Sequence, residues 1–267
     1  MGDLKLSQIW IYPVKSLGGI SLQTARVMPK GLHYDRRWML VDEEGQFMTQ
    51  RVHPEMALFK LTIGDERIVI DYGQHSLGLA LESQEGADSI QAQIWDDRVT
   101  VSEVSPAHSE WFSDLLKVKC RLVSFPEKNA RALDPKFAVN DEHVSLADAY
   151  PFLIIGQSSL DELNSKLVQP ISMRRFRPNF VFIGGEPHEE DGWKNFTIGS
   201  TRFVGVKRCA RCAVPTIDPD TAEKGIEPTR TLATYRKRDN KIYFGQNLVA
   251  VDYTHVTVGD SITVKNQ

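Results

Sequence analysis

The chain has 267 residues, 41% apolar and 25% charged, with a formal net charge of −3. That balance is ordinary for a globular protein and excludes a fibre or a wholly disordered chain. It also excludes a broadly basic face able to displace counterions from nucleic acid, so no nucleic-acid partner is expected.

Along the chain, the start at Met1-Gly2-Asp3-Leu4-Lys5-Leu6 has no basic segment followed by an apolar stretch, and Leu6 stands where a myristoylation pattern wants Ser or Thr. The longest apolar run, around residues 151–156, is too short to span a bilayer. A cytoplasmic protein with no membrane association is the expectation.

Short strands are predicted over residues 4–12, 38–41, 58–63, 67–72 and 99–104, with turns at Glu44-Gly45-Gln46 and Ile63-Gly64-Asp65. Pro106 suits the first turn of a helix whose apolar side is Trp111, Phe112, Leu115 and Leu116. The polar stretch 125–141 reads as a long loop or a boundary. A strand over 152–155 precedes a second helix, for which Ser159 and Glu162 form a capping box ahead of Leu160, Leu163 and Leu167. Strands follow over 179–183, 201–206, 242–251 and 261–264, with a third helix from 228 to about 237. This density of short strands predicts a mostly β, β-rich α+β protein and not a doubly wound sheet.

Three cysteines, Cys120, Cys209 and Cys212, do not make a disulfide framework. The Cys209-Ala210-Arg211-Cys212 pair admits several readings. A zinc site needs two further ligands, and no histidine pair has ligand spacing. A thioredoxin-like dithiol wants a helix N-terminus, but a strand precedes the pair, and Pro215 and Asp218-Pro219-Asp220 follow it. Two buried structural cysteines are the plain alternative. Lys207, Arg208 and Arg211 favour thiolate, and a soft thiolate suits a soft or high-valent metal. Elsewhere, cations or carboxamides stand at the edges of apolar runs in Pro13-Val14-Lys15-Ser16, Tyr34-Asp35-Arg36-Arg37, Arg175-Phe176-Arg177-Pro178-Asn179 and Phe244-Gly245-Gln246-Asn247. Each alone reads as a turn or surface residue, and the basic run Met173 to Arg177 reads as a solvated face or an anion site; together they could grip a phosphate-bearing ligand.

The set Tyr12-Pro13-Val14-Lys15-Ser16, Asp35-Arg36, Phe176-Arg177-Pro178-Asn179, Cys209-Ala210-Arg211-Cys212 and Phe244-Gly245-Gln246-Asn247, in that order, resembles MOSC proteins with an N-terminal β-barrel domain. It is most similar to the bacterial YcbX-type proteins and the mitochondrial amidoxime-reducing components. The resemblance implies an N-terminal β-barrel-like domain over 1–122 and a MOSC β-barrel domain with a few helices over 123–267, the first strands contributing to both. It implies a molybdenum cofactor with Cys212 as metal ligand and catalytic residue, and Lys15, Ser16, Arg36, Arg177, Asn179, Arg211 and Asn247 as cofactor-binding residues. Pyridoxal phosphate binding is a further term carried by the resemblance.

The implied reaction is reduction of small N-hydroxylated substrates (amidoximes, hydroxylamines, N-hydroxylated bases). Longer relatives add a C-terminal iron–sulfur domain. This chain ends at Gln267 without extra cysteines, so a separate flavoprotein or iron–sulfur protein is the expected redox partner. Ala210 stands where a hydroxyl residue is common between the two cysteines. A non-catalytic cofactor carrier and a cofactor-free dithiol or structural module are the alternatives.

Overall fold

The computed structural model describes residues 3–82 and 89–265; the Met1-Gly2 start and Gln267 lie outside them. Its largest sheet has nine strands. At its centre Phe152–Gly156 is buried along its whole length and runs parallel to Phe180–Ile183. Near-continuous apolar sequence is what a strand covered on both faces needs, and a parallel pair requires a crossover. The crossover includes helix α2 (Gln157–Ser165).

The first strand, Lys5–Ile11, is antiparallel to Phe180–Ile183, with Lys5 opposite Ile183 and Ile9 opposite Phe180. Near the other end of the chain, His255–Thr257 pairs with Thr24–Met28. The N-terminal and C-terminal halves therefore share strands. They also share a core, because one buried cluster runs from Leu6 through Phe59 and Phe112 to Phe152 and Phe203. This non-local pairing brings the loop after Ile11 against the strand ends of the C-terminal half, and the cavity described below forms there.

A four-stranded sheet (Trp38–Val41, Arg121–Ser124, Asp97–Glu103, Ser89–Ile94) and a three-stranded one (Lys60–Ile63, Arg67–Tyr72, His75–Ala80) complete the N-terminal half. The predominance of strands is as the sequence predicts. Helix α1 (Pro106–Leu116) is capped by Ser105, whose hydroxyl accepts from the His108 amide, and α3 covers Thr229–Tyr235. Residues 126–151 contain no helix or named strand, in keeping with their polar sequence. No helix among the described residues is long and apolar enough to cross a membrane.

Helix α2 corrects the predicted capping box. The helix starts three residues earlier, with its N-cap at Gly156, and Ser159 lies within it, fully buried. The Ser159 hydroxyl is 3.1 Å from both carboxylate oxygens of Glu190 and accepts the His188 amide at 2.7 Å. Glu162 instead faces Lys166 and His188.

Glu190 is fully buried, and its carboxylate accepts from Ser159 and the Gly156 amide. Burial pushes its carboxyl up from 4.5 to about 7. Between those values the native chain keeps a proton that the unfolded chain has released, so stability falls as pH rises across the window. Glu190→Gln, which cannot ionise, should shrink the difference between pH 5 and pH 8, by on the order of 3 kcal/mol at most. Urea unfolding at the two pH values checks this; an unchanged difference would show that Glu190 does not titrate in that range.

Candidate functional site

A cavity of about 320 Å3 opens where the Tyr12–Ser16 loop, the Phe176–Asn179 segment and the Lys207–Cys212 strand end come together. Every residue singled out from the sequence lines it: Lys15, Ser16, Arg36, Arg177, Asn179, Arg211, Cys212 and Asn247.

Tyr12 and Asp35 organise one wall. The Asp35 carboxylate is completely buried; one oxygen accepts the Tyr12 amide at 2.8 Å and the other accepts Arg36 Nη1 at 2.6 Å. The Tyr12 ring packs against two guanidiniums, Arg36 at 4.5 Å and Arg177 at 4.1 Å from its centroid. Ring faces attract cations, most strongly where water is excluded. Arg36 Nη2 also donates to the Arg177 carbonyl at 3.2 Å, and Arg177 Nη1 to the Leu17 carbonyl at 2.7 Å. Burial lowers the Arg177 guanidinium to about 10, which still leaves it charged at neutral pH.

Asn179 ties this wall to the sheet. Its Oδ1 accepts the Leu153 amide at 3.2 Å and lies 3.4 Å from Arg36 Nη1; its Nδ2 donates to the Trp10 carbonyl at 3.2 Å. Ser16, Arg36 and Arg177 all have left-handed backbone, with φ of 67°, 50° and 55°. Such residues cost about 1–3 kcal/mol each and persist only where their surroundings fix them.

Lys15 is buried, and its ammonium donates to the Leu146 carbonyl at 2.8 Å and to Asp148 at 2.6 Å. Burial pulls its pKa below the usual lysine value, and the Asp148 carboxylate opposes that. On the opposite wall the strand Thr201–Ala210 pairs with Lys241–Ala250, placing Lys207 opposite Asn247. The register shifts between Arg208 and Ala210, an irregularity of the kind that re-aims side chains beside sites. Gly205 lies at the neighbouring shift. A Cβ there would sit 2.0 Å from the Trp193 carbonyl oxygen, so no larger residue fits.

The two thiols differ. Cys212 is exposed and Cys209 half-buried. Arg211 Nη1 donates to Cys209 Sγ at 3.1 Å. Of the two thiols, Cys209 is the one that Arg211 contacts. Arg211 Nη2 donates to the Phe176 carbonyl at 2.7 Å, while its Nε is buried without a hydrogen-bond partner among the described residues. Of the basic run, Arg174 and Arg175 turn away to pair with Asp220 and Asp218, leaving Arg177 in the cavity.

Phe47, Arg51, Asp148 and Tyr150 also line the cavity and were not singled out from the sequence. They lie outside the motif segments, and only the tertiary pairing brings them in. Tyr12 stood inside a quoted motif without an assigned role. Its hydroxyl is buried with no partner among the described residues, so its contribution rests on the ring. Tyr12→Phe should leave stability within about 1 kcal/mol, whereas Tyr12→Leu, which removes the ring from two buried cations, should cost about 2 kcal/mol or more. Chemical denaturation of both variants checks this; equal losses would put the stabilisation on the hydroxyl or on side-chain volume.

Comparison with known proteins places this cavity in a family. The model of the MOSC N-terminal beta barrel domain matches residues 3–119, and that of the MOSC domain matches residues 141–263. The chain is 32% identical over 282 residues to mitochondrial amidoxime-reducing component 1 of Mus musculus, covering 98% of this chain and 82% of that protein. Against the Homo sapiens protein of the same name it is 30% identical over 285 residues, covering 98% and 83%. It is also 29% identical to a molybdenum cofactor sulfurase of Oryza sativa subsp. japonica, covering 99% of this chain and 34% of that protein. With both domains matched in order and near-complete alignment to these relatives, the chain belongs to the MOSC-domain family, in the branch that carries an N-terminal MOSC β-barrel domain and includes the mitochondrial amidoxime-reducing components.

Proposed function

We propose that the cavity holds a molybdenum cofactor and that the chain reduces small N-hydroxylated compounds (amidoximes, hydroxylamines or N-hydroxylated bases). The electrons would come from a separate donor, a flavoprotein or iron–sulfur protein. The observation that carries this reading is the convergence of one exposed thiol, Cys212, with Lys15, Arg36, Arg177 and Arg211 on a single cavity.

The residues present fit such a group. Among the described residues no three His, Cys, Asp or Glu side chains cluster as a metal cage, so a metal here would bring most of its ligands with it. A pterin dithiolene with a phosphate does so, and Cys212 would add one protein thiolate. Lys15, Ser16, Arg36, Arg177, Asn179, Arg211 and Asn247 would hold the phosphate and pterin. The buried, unpartnered Nε of Arg211 is a donor awaiting an acceptor.

When bound, the cofactor supplies a two-electron centre that accepts oxygen, so that R–NHOH with two electrons and two protons gives R–NH2 and water. The chain's own residues orient that group, neutralise its charge and shape the approach. Guanidiniums fixed against Tyr12 and Phe176 do this with little reorganisation, which is what preorganised charge contributes.

The test is turnover of benzamidoxime with a reduced viologen as chemical donor, using protein from a host that makes the cofactor. Wild type should release benzamidine and Cys212→Ala should fall to background. Wild type that carries molybdenum yet gives no benzamidine with any donor would overturn the reductase reading in favour of a carrier.

A further inference from the structure

The cavity carries two further cations that the cofactor reading does not use. Arg51 comes from the N-terminal half and Lys207 from the Thr201–Ala210 strand, and both line the cavity. Of the other cations lining the cavity, Lys15 pairs with Asp148, Arg36 with Asp35, and Arg208 with Asp191 at 3.4 Å, while Arg177 and Arg211 donate to backbone carbonyls and are already assigned to the cofactor. Neither Arg51 nor Lys207 has an ion-pair partner among the described residues. Each is backed by two aromatic rings, and Arg51 Nε also donates to the neutral Thr49 hydroxyl at 3.2 Å. The Arg51 guanidinium lies 4.1 Å from the Trp95 centroid and 5.9 Å from that of Phe47. The Lys207 ammonium lies 4.3 Å from the Phe137 centroid and 5.8 Å from that of Tyr150.

A ring face fixes a cation without cancelling its charge, whereas a carboxylate would do both. These positions therefore keep two full positive charges aimed at whatever enters, on side chains whose freedom is already reduced. Trp95 supports this at a cost. It holds a left-handed backbone, φ 55°, which is a genuine outlier for a bulky residue, and is 43% exposed. Its indole Nε1–H donates to Asp148 at 3.2 Å, the carboxylate that also holds Lys15. The Arg51 carbonyl in turn accepts from Lys224 at 3.0 Å, tying its segment to the C-terminal half.

We propose that Arg51 and Lys207 form an aromatic-backed anion clamp on the cavity wall, and that the natural substrate carries a negatively charged group, a carboxylate or a phosphate, apart from its N-hydroxyl group. The N-hydroxyl part rests on the reductase reading above; the anion part rests on the clamp alone.

Two measurements separate these parts, both on the full chain from a cofactor-producing host. The first is calorimetric binding of 4-carbamoylbenzoate and 4-carbamoylphenylphosphonate against the neutral isostere terephthalamide, which needs no turnover. At least one anionic probe should bind about tenfold more tightly than the neutral one. That ratio should weaken from 0.05 to about 0.5 M salt and collapse in Arg51→Gln and Lys207→Gln; the better of the two anions identifies the group. The second is the ratio of kcat/KM for 4-carboxybenzamidoxime over benzamidoxime within each preparation, in which cofactor occupancy cancels. It should favour the carboxylate in wild type and approach one in both variants. Charge-indifferent binding in wild type overturns the clamp. So does molybdenum lost from Arg51→Gln and Lys207→Gln with the probe preference intact, since that would assign the cations to the cofactor. Charge-selective binding with no turnover of either amidoxime would instead sink the reductase reading and leave the clamp standing.

Discussion

The site depends on keeping two like-charged guanidiniums close together away from bulk water. Arg36 and Arg177 repel each other and lose hydration, both of which oppose folding. Three groups offset this: the buried Asp35 carboxylate, the face of Tyr12, and backbone carbonyls of Leu17 and Arg177. Asp35 has no exposed surface and bonds both the Tyr12 backbone and Arg36, so ring and cation are positioned by one acid. The left-handed backbone at Ser16, Arg36 and Arg177 follows from that constraint, because the chain must turn sharply to aim these side chains at one point.

That arrangement is possible only because distant strands pair. Lys5–Ile11 lies beside Phe180–Ile183, so the loop carrying Lys15 and Ser16 reaches the segment carrying Arg177 and Asn179. Asn179 spans the junction, bonding Trp10 on one strand and Leu153 on another. The shared core makes the cavity wall part of the fold and not an appended loop. Within the cavity the charges divide by what holds them. Lys15 and Arg36 carry their own counterions, Arg177 and Arg211 lean on carbonyls and rings, and Arg51 and Lys207 rest on rings, with the Thr49 hydroxyl also accepting from Arg51.

Much of this was legible in the sequence because the informative residues sit at strand edges, where a cation or carboxamide interrupts an apolar run. Lys15, Arg36, Asn179 and Asn247 all have that placement, and all line the cavity. The long strands read well for the same reason of local pattern, while short ones such as Ile20–Leu22 and Thr24–Met28 carry too few residues to show a period. What local pattern cannot supply is a partner far along the chain. Ser159 reads as a helix cap until Glu190, 31 residues on, takes its hydroxyl. Asp148 and Arg51 look like ordinary loop residues until Lys15 and Trp95 meet them.

Family models match both domains of the chain, and the cavity brings together a thiol and several cations, the set on which the proposed cofactor site rests. The most direct test is molybdenum content by mass spectrometry together with oxidised-pterin fluorescence, comparing wild type with Cys212→Ala from a cofactor-producing host. Near-stoichiometric molybdenum and pterin in wild type, with the metal lost from the variant, is the predicted result. Wild type lacking both, or holding zinc in their place, would contradict it.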